Sequence, residues 1–505
     1  MPSKPPHDWA KDKFGLRTHL DSAKTRMLET QRVQDLPDPI LLRDLQVRWV
    51  VMRERLLRDL DKGQYTSAGV EIIDLPKDRL AVRPLVRLQP LDQLLYEALI
   101  FALQPELDRR LPNAVYSYRW DRRRGRMLSG VKQWVRLQDL GRAHHRRSPG
   151  LYLAKTDISS FYEHVDVRIL KAQLLQILGP RREIKLLVTF LRDFAERNQV
   201  AGLPQGSDAS GVLANVYLLP VDLHLRDRKC TFLRYSDDIW LFGPDWDSLR
   251  GELIGVTRVL RGIRLHLANA KTSIVSGADV MQEFEQAEKN AISYGLQVRA
   301  PGAIKEVREL FDRAVQESEA VLARDVRFTL PRLGKAQDPH AVPWLLRHLS
   351  AVPHLAKEVN SYLSRFTTSD PRIWKTALRV LRRGDLIHYP YAEMHLIRLL
   401  LPQPIASKGR GTALMWQLLR DRNRQDFVRE YAARYVGLHS RPGDVDHLKA
   451  LLKSETDPRL RRVLLIAVYE AGGASRKWLR HPTRNTPELR DTARYLLTSP
   501  QIPRP

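Results

Sequence analysis

The chain has 505 residues, 43% of them hydrophobic and 28% charged, a globular composition with room for two to four domains. Lys and Arg number 84 against 58 Asp and Glu, and a formal net charge of +26 points to a polyanionic partner, nucleic acid first and an anionic membrane surface second. No apolar run approaches the ~18 residues of a spanning helix, Met1-Pro2-Ser3-Lys4-Pro5-Pro6-His7-Asp8 lacks a signal peptide's apolar segment, and the single cysteine, Cys230, excludes an internal disulfide and a multi-cysteine zinc site. A cytoplasmic protein is expected.

Residues 1–70 read as a polar helical extension after a Pro-rich start, with Leu42, Leu45, Val47, Trp49, Val50, Met52 and Leu56 as an apolar face. Ile72 to Arg87 fits two short strands joined by a basic turn, whose cations either hold a phosphate chain or are simply solvated. From Pro90 an amphipathic helix follows, burying Leu91, Leu94, Leu95, Ala98, Leu99, Phe101, Ala102 and Leu103. Residues 101–150 carry 12 Lys or Arg against four acids, with Tyr116, Tyr118, Trp120 and Trp134 interleaved. Charges for a backbone and rings for bases suit a nucleic-acid track, with a solvated basic face as the alternative.

Leu151 to Ile158 alternates as a strand ending on Asp157, and Ser159 to Asp166 begins a turn and helix. Residues 168–197 are helical, Gly202-Leu203-Pro204-Gln205-Gly206 is a loop, and Val212 to Leu218 opens a buried helix. Then Thr231-Phe232-Leu233-Arg234-Tyr235-Ser236-Asp237-Asp238-Ile239-Trp240-Leu241-Phe242 reads as a β-hairpin with Asp237 and Asp238 at its tip. Adjacent carboxylates repel, so both stay ionised at a tight turn only if a cation or water shares them. Mg²⁺ is the usual cation; a solvated Asx turn is the alternative. Leu265 to Thr272 is another strand and turn, exposing Lys271.

From about 303 the pattern becomes repeated helices. Asp338-Pro339, Asp370-Pro371 and Asp457-Pro458 each read as an acidic N-cap followed by Pro at the first helical position. The first two lie 32 residues apart (370 − 338), near the period of paired-helix repeats, and a packed α-solenoid is expected. Arg441 and His447 have an Arg-x₅-His spacing known from some helical ribonucleases, but a Pro follows the Arg and an ordinary surface is the expectation.

Asp157, Gly-Leu-Pro-Gln-Gly at 202–206, Tyr-Ser-Asp-Asp at 235–238 and Lys271 stand in an order that resembles motifs A to D of the reverse transcriptase palm. Leu75-Pro76-Lys77, Arg83-Pro84-Leu85 and Ser117-Tyr118-Arg119 look like finger motifs of the bacterial and group II intron branch, so the resemblance covers roughly residues 70–275. It implies an α+β right-hand polymerase, with fingers and palm (antiparallel sheet with helices) over 71–300, and an all-α thumb-like or HEAT-like repeat domain over 301–505. It also implies two Mg²⁺ ions, or Mn²⁺, on Asp157, Asp237, Asp238 and the Ile158 carbonyl, joining dNTPs to a 3′-hydroxyl. Lys77 and Arg83 would hold the triphosphate, and Gln205 would contact the nucleotide. Lys271 would protonate pyrophosphate, or else is a solvated turn lysine. Arg119, Arg122, Arg123 and Arg124 would line the nucleic-acid track. Tyr162, five residues after Asp157, matches the aromatic gate that excludes a ribose 2′-hydroxyl, which with Tyr-Ser-Asp-Asp favours DNA synthesis.

A palm with a helical tail looks like the abortive-infection and defence-associated reverse transcriptases of bacteria. Implied partners are an RNA template or non-coding RNA, a DNA product, dNTPs and, in some members, further copies of the chain, with no membrane. Some members extend without a template. Ser207-Asp208 departs from the Ser-Pro typical of intron enzymes. A mobile-element reverse transcriptase and a catalytically silent RNA-binding scaffold are the alternatives, and the intact Asp157, Asp237 and Asp238 argue against the scaffold.

Overall fold

The computed structural model describes residues 15–30, 36–78, 80–198, 200–284, 289, 292–293, 296–297, 302–316, 321–402, 410–481, 487–498 and 502–503. Met1–Asp8, Arg79 and the expected boundary at 300/301 lie outside them. The chain forms two compact units: Met1–Thr30, Arg53–Ile72 and Val86–Ala287 in the first, Gln31–Met52, Ile73–Leu85 and Glu288–Pro505 in the second.

The elements run α1 Leu16–Thr30, α2 Arg43–Asp61, β1 Glu71–Pro76, β2 Val82–Arg87, α3 Pro90–Arg110, β3 Trp120–Asp121, β4 Arg126–Met127 and α4 Gly130–Arg147. They continue with β5 Tyr152–Thr156, α5 Val167–Leu178, α6 Arg182–Asn198, α7 Asp208–Tyr217, α8 Leu219–Asp227, β6 Thr231–Tyr235, β7 Asp238–Gly243, α9 Trp246–Gly262, β8 Ser273–Val275 and α10 Ala278–Phe284. β1 and β2 pair as a hairpin, as expected. The helical stretch expected over 168–197 is built as two helices, α5 and α6, because Gly179 turns left-handed (φ +71°) and Pro180 cannot continue α5.

α3 departs from the one-sided pattern read in the sequence. Leu94, Leu95, Tyr96, Ala98 and Leu99 are fully buried, but so nearly are Asp92, Glu97, Gln104 and Asp108. A helix buried all round must satisfy its polar side chains internally. The Ala68 N–H donates to Asp92 at 2.9 Å, Gln104 donates to the Tyr118 carbonyl at 3.1 Å, and Arg119 Nε donates to Asp108 at 2.6 Å.

Four strands form one sheet in the order β6-β7-β5-β8, antiparallel throughout. Side-chain alternation divides its residues between two faces. Leu153, Leu233, Trp240 and Phe242 pack with Leu137 of α4 and with Val280 and Phe284 of α10, while α8 and α9 pack against the strands as well. The outer edge of β6 is extended by residues 114–116: the Arg234 N–H donates to the Ala114 carbonyl at 2.8 Å, and the Tyr116 N–H to the Arg234 carbonyl at 2.9 Å. Otherwise unpaired edge groups are satisfied in this way.

Beyond residue 302 the described elements of the second unit are all helical. Ala323–Lys335, Ala356–Leu363, Pro390–Leu400, Asp426–Leu438, Pro458–Glu470 and Pro487–Leu496 pack each on the next. Arg372–Arg383, Arg410–Arg420 and Asp444–Ser454 pack beside that row. Of the three Asp-Pro starts, Asp457 caps its helix by accepting from the Leu460 N–H at 2.8 Å. Asp370 accepts from the Arg372 N–H at 3.0 Å, two residues before the helix proper. Asp338 accepts from the His340 N–H at 3.0 Å in a turn, and the helix begins only at Val342. Residues 38–44 join this unit through Arg462, whose Nη2 and Nε lie 2.6 and 2.7 Å from the Asp44 carboxylate. Among the described residues no helix is long and apolar enough to cross a membrane.

Candidate active site

Strand register positions the carboxylates. Tyr235 pairs with Asp238 across β6 and β7, leaving Ser236 and Asp237 as a two-residue turn with Ser236 left-handed at φ +58°. Asp238 is thus the first residue of β7, whereas the sequence suggested that both acids sit at the tip. On the other side of β7, Thr156 pairs with Ile239, so Asp157 leaves β5 at the same end of the sheet. The chain is held there by the Ala268 N–H donating to the Asp157 carbonyl at 2.8 Å and the Ser159 N–H donating to the His266 carbonyl at 3.0 Å. Neither bond uses the Ile158 carbonyl.

Lys271 forms an ion pair with Asp157. Burial, then the charges of Asp237 and Asp157, push Asp238 up to about 6. Carboxylates that raise one another's affinity for a proton also favour a shared hard cation. Among the described residues no three His, Cys, Asp or Glu side chains stand as a ready-made metal cage. The donor chemistry nevertheless fits a divalent ion, because its oxygens are anionic, mutually repelling and offered from two strands.

Behind the turn lies a buried polar network. Arg234 and Asp222, both 0% exposed in their side chains, make a fork with Nε–Oδ1 and Nη2–Oδ2 each at 2.7 Å. Burial raises the Asp222 pKa and Arg234 opposes that shift. Arg234 Nη1 also donates to Asn215 Oδ1 at 2.9 Å and to the Ser236 carbonyl at 2.8 Å. Asn215 Nδ2 donates to the Ser117 carbonyl at 2.8 Å, and the Ser236 N–H donates to Ser117 Oγ at 2.8 Å. Aromatic packing supports the same hairpin, with Trp134 edge-on to Tyr235 at 5.1 Å and to Trp240 at 5.8 Å. None of Asp222, Arg234 or Asn215 was singled out from sequence. The available signal was a charged residue inside an apolar strand, which has to find a partner.

Tyr162 opens a short 3₁₀ turn over Tyr162–His164. Its carbonyl accepts from the Leu203 N–H at 2.8 Å. Gly202, at φ +82°, permits this approach, since a Cβ there would lie 1.9 Å from the Tyr162 oxygen. The phenols of Tyr118 and Tyr162 share a hydrogen bond, and the neighbouring Tyr162, then burial, raises the Tyr118 pKa. The Tyr118 ring lies against Gly211, where a Cβ would come within 2.2 Å of it. The Gln205 carbonyl accepts from the Val86 N–H at 2.8 Å. Ser207 Oγ accepts from the Ala209 N–H at 3.1 Å and donates to Glu97 at 2.6 Å. Burial, then the charge of Asp208, pushes Glu97 up to about 7, while Asp208 pairs with Arg26 at 2.9 Å. The unusual Ser207-Asp208 therefore has internal partners.

The remaining candidates are dispersed. Lys77 and Arg83 are exposed residues of the second unit. There Lys77, Asp78 and Leu80 line a cavity of about 670 Å³ with Val321, His354 and Tyr389. Arg119 faces inward rather than along an open track: besides Asp108, it donates to the carbonyls of Pro112 at 2.9 Å and Val115 at 2.8 Å. Arg122, Arg123 and Arg124 are exposed in the turn between β3 and β4, which Asp121 closes by accepting from the Arg123 and Arg124 N–H groups at 3.0 and 3.2 Å. Arg441 lies 3.8 Å from Asp444, and His447 sits edge-on to Trp416 at 6.0 Å.

Residues 75–307 match the family described as reverse transcriptase (RNA-dependent DNA polymerase). Protein YkfC of Escherichia coli (strain K12) is 25% identical over 194 residues, 36% of this chain and 48% of that protein. A solved structure of apo telomerase from Candida tropicalis, truncated from its C-terminal domain, aligns at 14% identity and a TM-score of 0.29, covering 43% of this chain and 51% of that one. The chain spans about half the length of both, and the telomerase likeness is too slight to add to the family match. Asp157, Tyr162, Gln205, Asp237, Asp238 and Lys271 all fall inside residues 75–307, the segment that matches the reverse transcriptase family.

Proposed function

We propose that the chain is an RNA-directed DNA polymerase that adds dNTPs to a 3′-hydroxyl. The observation that carries this reading is the register of β5, β6 and β7, which brings Asp157, Asp237 and Asp238 to one end of the sheet inside the matched segment. Asp157, Asp237, Asp238 and the Ile158 carbonyl would hold two Mg²⁺ ions, or Mn²⁺, which when bound activate the 3′-hydroxyl and neutralise the leaving pyrophosphate. The Ser236–Ser117–Asn215–Arg234 network fixes the turn, so the carboxylates need no reorganisation as the nucleotide arrives. Tyr162, held at its carbonyl by Leu203, is the gate against a ribose 2′-hydroxyl, and Gln205 faces the nucleotide. Lys271 holds a proton at Nζ beside Asp157, where a pyrophosphate oxygen can take it. Lys77, Arg83 and the exposed Arg122, Arg123 and Arg124 supply phosphate contacts; Arg119 serves the fold instead.

The purified protein with Mg²⁺, an RNA template, a DNA primer and labelled dNTPs should extend the primer, and Asp237→Ala should not. Equal incorporation by both proteins, or none by the wild type with its co-purified RNA, overturns the reading. A parallel reaction without template separates templated from untemplated synthesis.

We further read the chain as a bacterial anti-phage polymerase with a HEAT-like repeat tail. The support is its combination of a palm with rows of stacked helices, together with the bacterial relative. Expression in a host challenged with phage should lower plating efficiency, and Asp237→Ala should restore it.

A further inference from the structure

The helix Arg372–Arg383 of the second unit turns its apolar residues Ile373, Ala377, Leu378, Val380 and Leu381 into the core. Its exposed positions are Arg372, Lys375, Arg379, Arg382 and Arg383, every one a cation. They recur at i, i+3 and i+4, the spacing that places side chains on one stripe of a helix. Only Arg372 is matched by an acid, Asp370 at 2.7 Å, which precedes the helix. The helices that pack against this one, Val342–His348 and Pro390–Leu400, offer no relief. The first exposes Arg347 and has no acid; the second has Glu393, which is 1% exposed and paired with Arg424 at 2.6 Å. Among the described residues no acid pairs with Lys375, Arg379, Arg382 or Arg383.

A stripe of like charges three and four residues apart destabilises the helix that carries it. The helix dipole favours Arg382 and Arg383 in the last turn, but it disfavours Arg372 in the first and does nothing for Lys375 or Arg379. A polyanion that neutralises the stripe accounts for all of them. Lys375, Arg379 and the Arg382–Arg383 pair follow one another at about 6 Å and then about 5 Å along the axis. A nucleic-acid strand carries one phosphate at every nucleotide, so cations repeated at this spacing can each meet one. A membrane-surface helix, by contrast, leaves an apolar face free to enter the lipid, and here that face is already in the core.

We infer that the exposed face of Arg372–Arg383 is a nucleic-acid backbone site, separate in sequence from the polymerase motifs and indifferent to base identity. The test is a triple variant, Arg379→Gln/Arg382→Gln/Arg383→Gln, in the full chain. Binding to a fluorescein-labelled RNA is measured by polarisation across a salt series, beside wild type and Asp237→Ala. Losing three phosphate contacts lowers the slope of log K against log[salt] by about 2, at about 0.7 per contact for a single strand. The expected affinity at physiological salt falls about tenfold, equally for unrelated RNA sequences, and the melting temperature is unchanged or higher. An unchanged slope and affinity in a folded variant overturns the inference. So does a variant that keeps RNA binding but no longer sediments with phosphatidylserine vesicles, which assigns the stripe to a membrane. Asp237→Ala, retaining the wild-type slope while losing synthesis, keeps this result apart from the polymerase reading.

Discussion

Ser117 Oγ accepts the Ser236 N–H at 2.8 Å, so a residue 119 positions earlier in the chain holds the backbone of the turn between Tyr235 and Asp238. Ser117→Ala leaves that N–H without its partner, at about 1–3 kcal/mol. Urea denaturation should show a loss in this range. Primer extension should lose kcat with little change in the dNTP KM, because the turn that positions Asp237 loosens while the nucleotide contacts remain.

The Arg234–Asp222 pair is fully buried, and breaking it leaves an uncompensated charge. Arg234→Met alone should cost about 3–5 kcal/mol, measurable by chemical denaturation. Asp222→Leu with Arg234→Met should recover much of that stability. Activity should stay low in the double variant, since Arg234 also donates to Asn215 and to the Ser236 carbonyl. Recovery of both stability and activity would show that the pair only fills space.

Glu97 gives a pH dependence with a definite sign. Its carboxyl is pushed up to about 7 in the folded chain from an ordinary 4.5. Between these values the folded state keeps a proton that the unfolded state releases, so stability falls as pH rises through that window and levels off above it. Burial of this one group is worth of order 1–3 kcal/mol. Glu97→Gln keeps an acceptor for Ser207 and should flatten the stability profile between pH 4.5 and 7, leaving the variant more stable at neutral pH.

Mg²⁺ should stabilise the wild type and not Asp157→Asn. At ten times its Kd an ion bound only to the folded state adds about 1.4 kcal/mol, roughly 3–6 °C in a melting curve. Protons compete, because Asp238 is pushed up to about 6 and a cation prefers its ionised form. The Mg²⁺-induced shift should therefore shrink below pH 6 and return above it, with EDTA removing it at every pH.

Gly202→Ala meets both a left-handed backbone and the Tyr162 carbonyl, from which its Cβ would stand 1.9 Å. The loop has to move, at a strain of about 1–3 kcal/mol. Discrimination between dNTPs and NTPs should weaken in steady-state incorporation, in the same direction as for Tyr162→Ala. A Gly202→Ala enzyme that discriminates as wild type would detach the gate from this loop.

Much of the sheet was legible because the short apolar runs on either side of Asp237-Asp238, rich in aromatic and branched residues and too short for helices, suit strands buried on both faces. The turn itself was one residue off, since β6 and β7 pair up to Tyr235 and Asp238 and leave Ser236, not Asp238, in the bend. α3 was read as one-sided because Asp92, Glu97 and Asp108 look like a solvent face; only the tertiary partners Ala68, Ser207 and Arg119 make them internal. Arg119 misled for the same reason. Its charge counted toward a basic track, yet Asp108 and two carbonyls consume it. The network behind the turn was hidden because each member is ordinary alone and the pairing spans residues 117 to 236.

Trp134 and Trp240 face each other edge-on at 5.8 Å, with Trp134 also touching Tyr235 beside the turn. Two indoles in that disposition couple their electronic transitions, and the coupling changes with their separation and mutual angle. The protein thus carries a built-in chiroptical reporter of the hairpin that holds Asp237 and Asp238, readable in near-ultraviolet circular dichroism without any label.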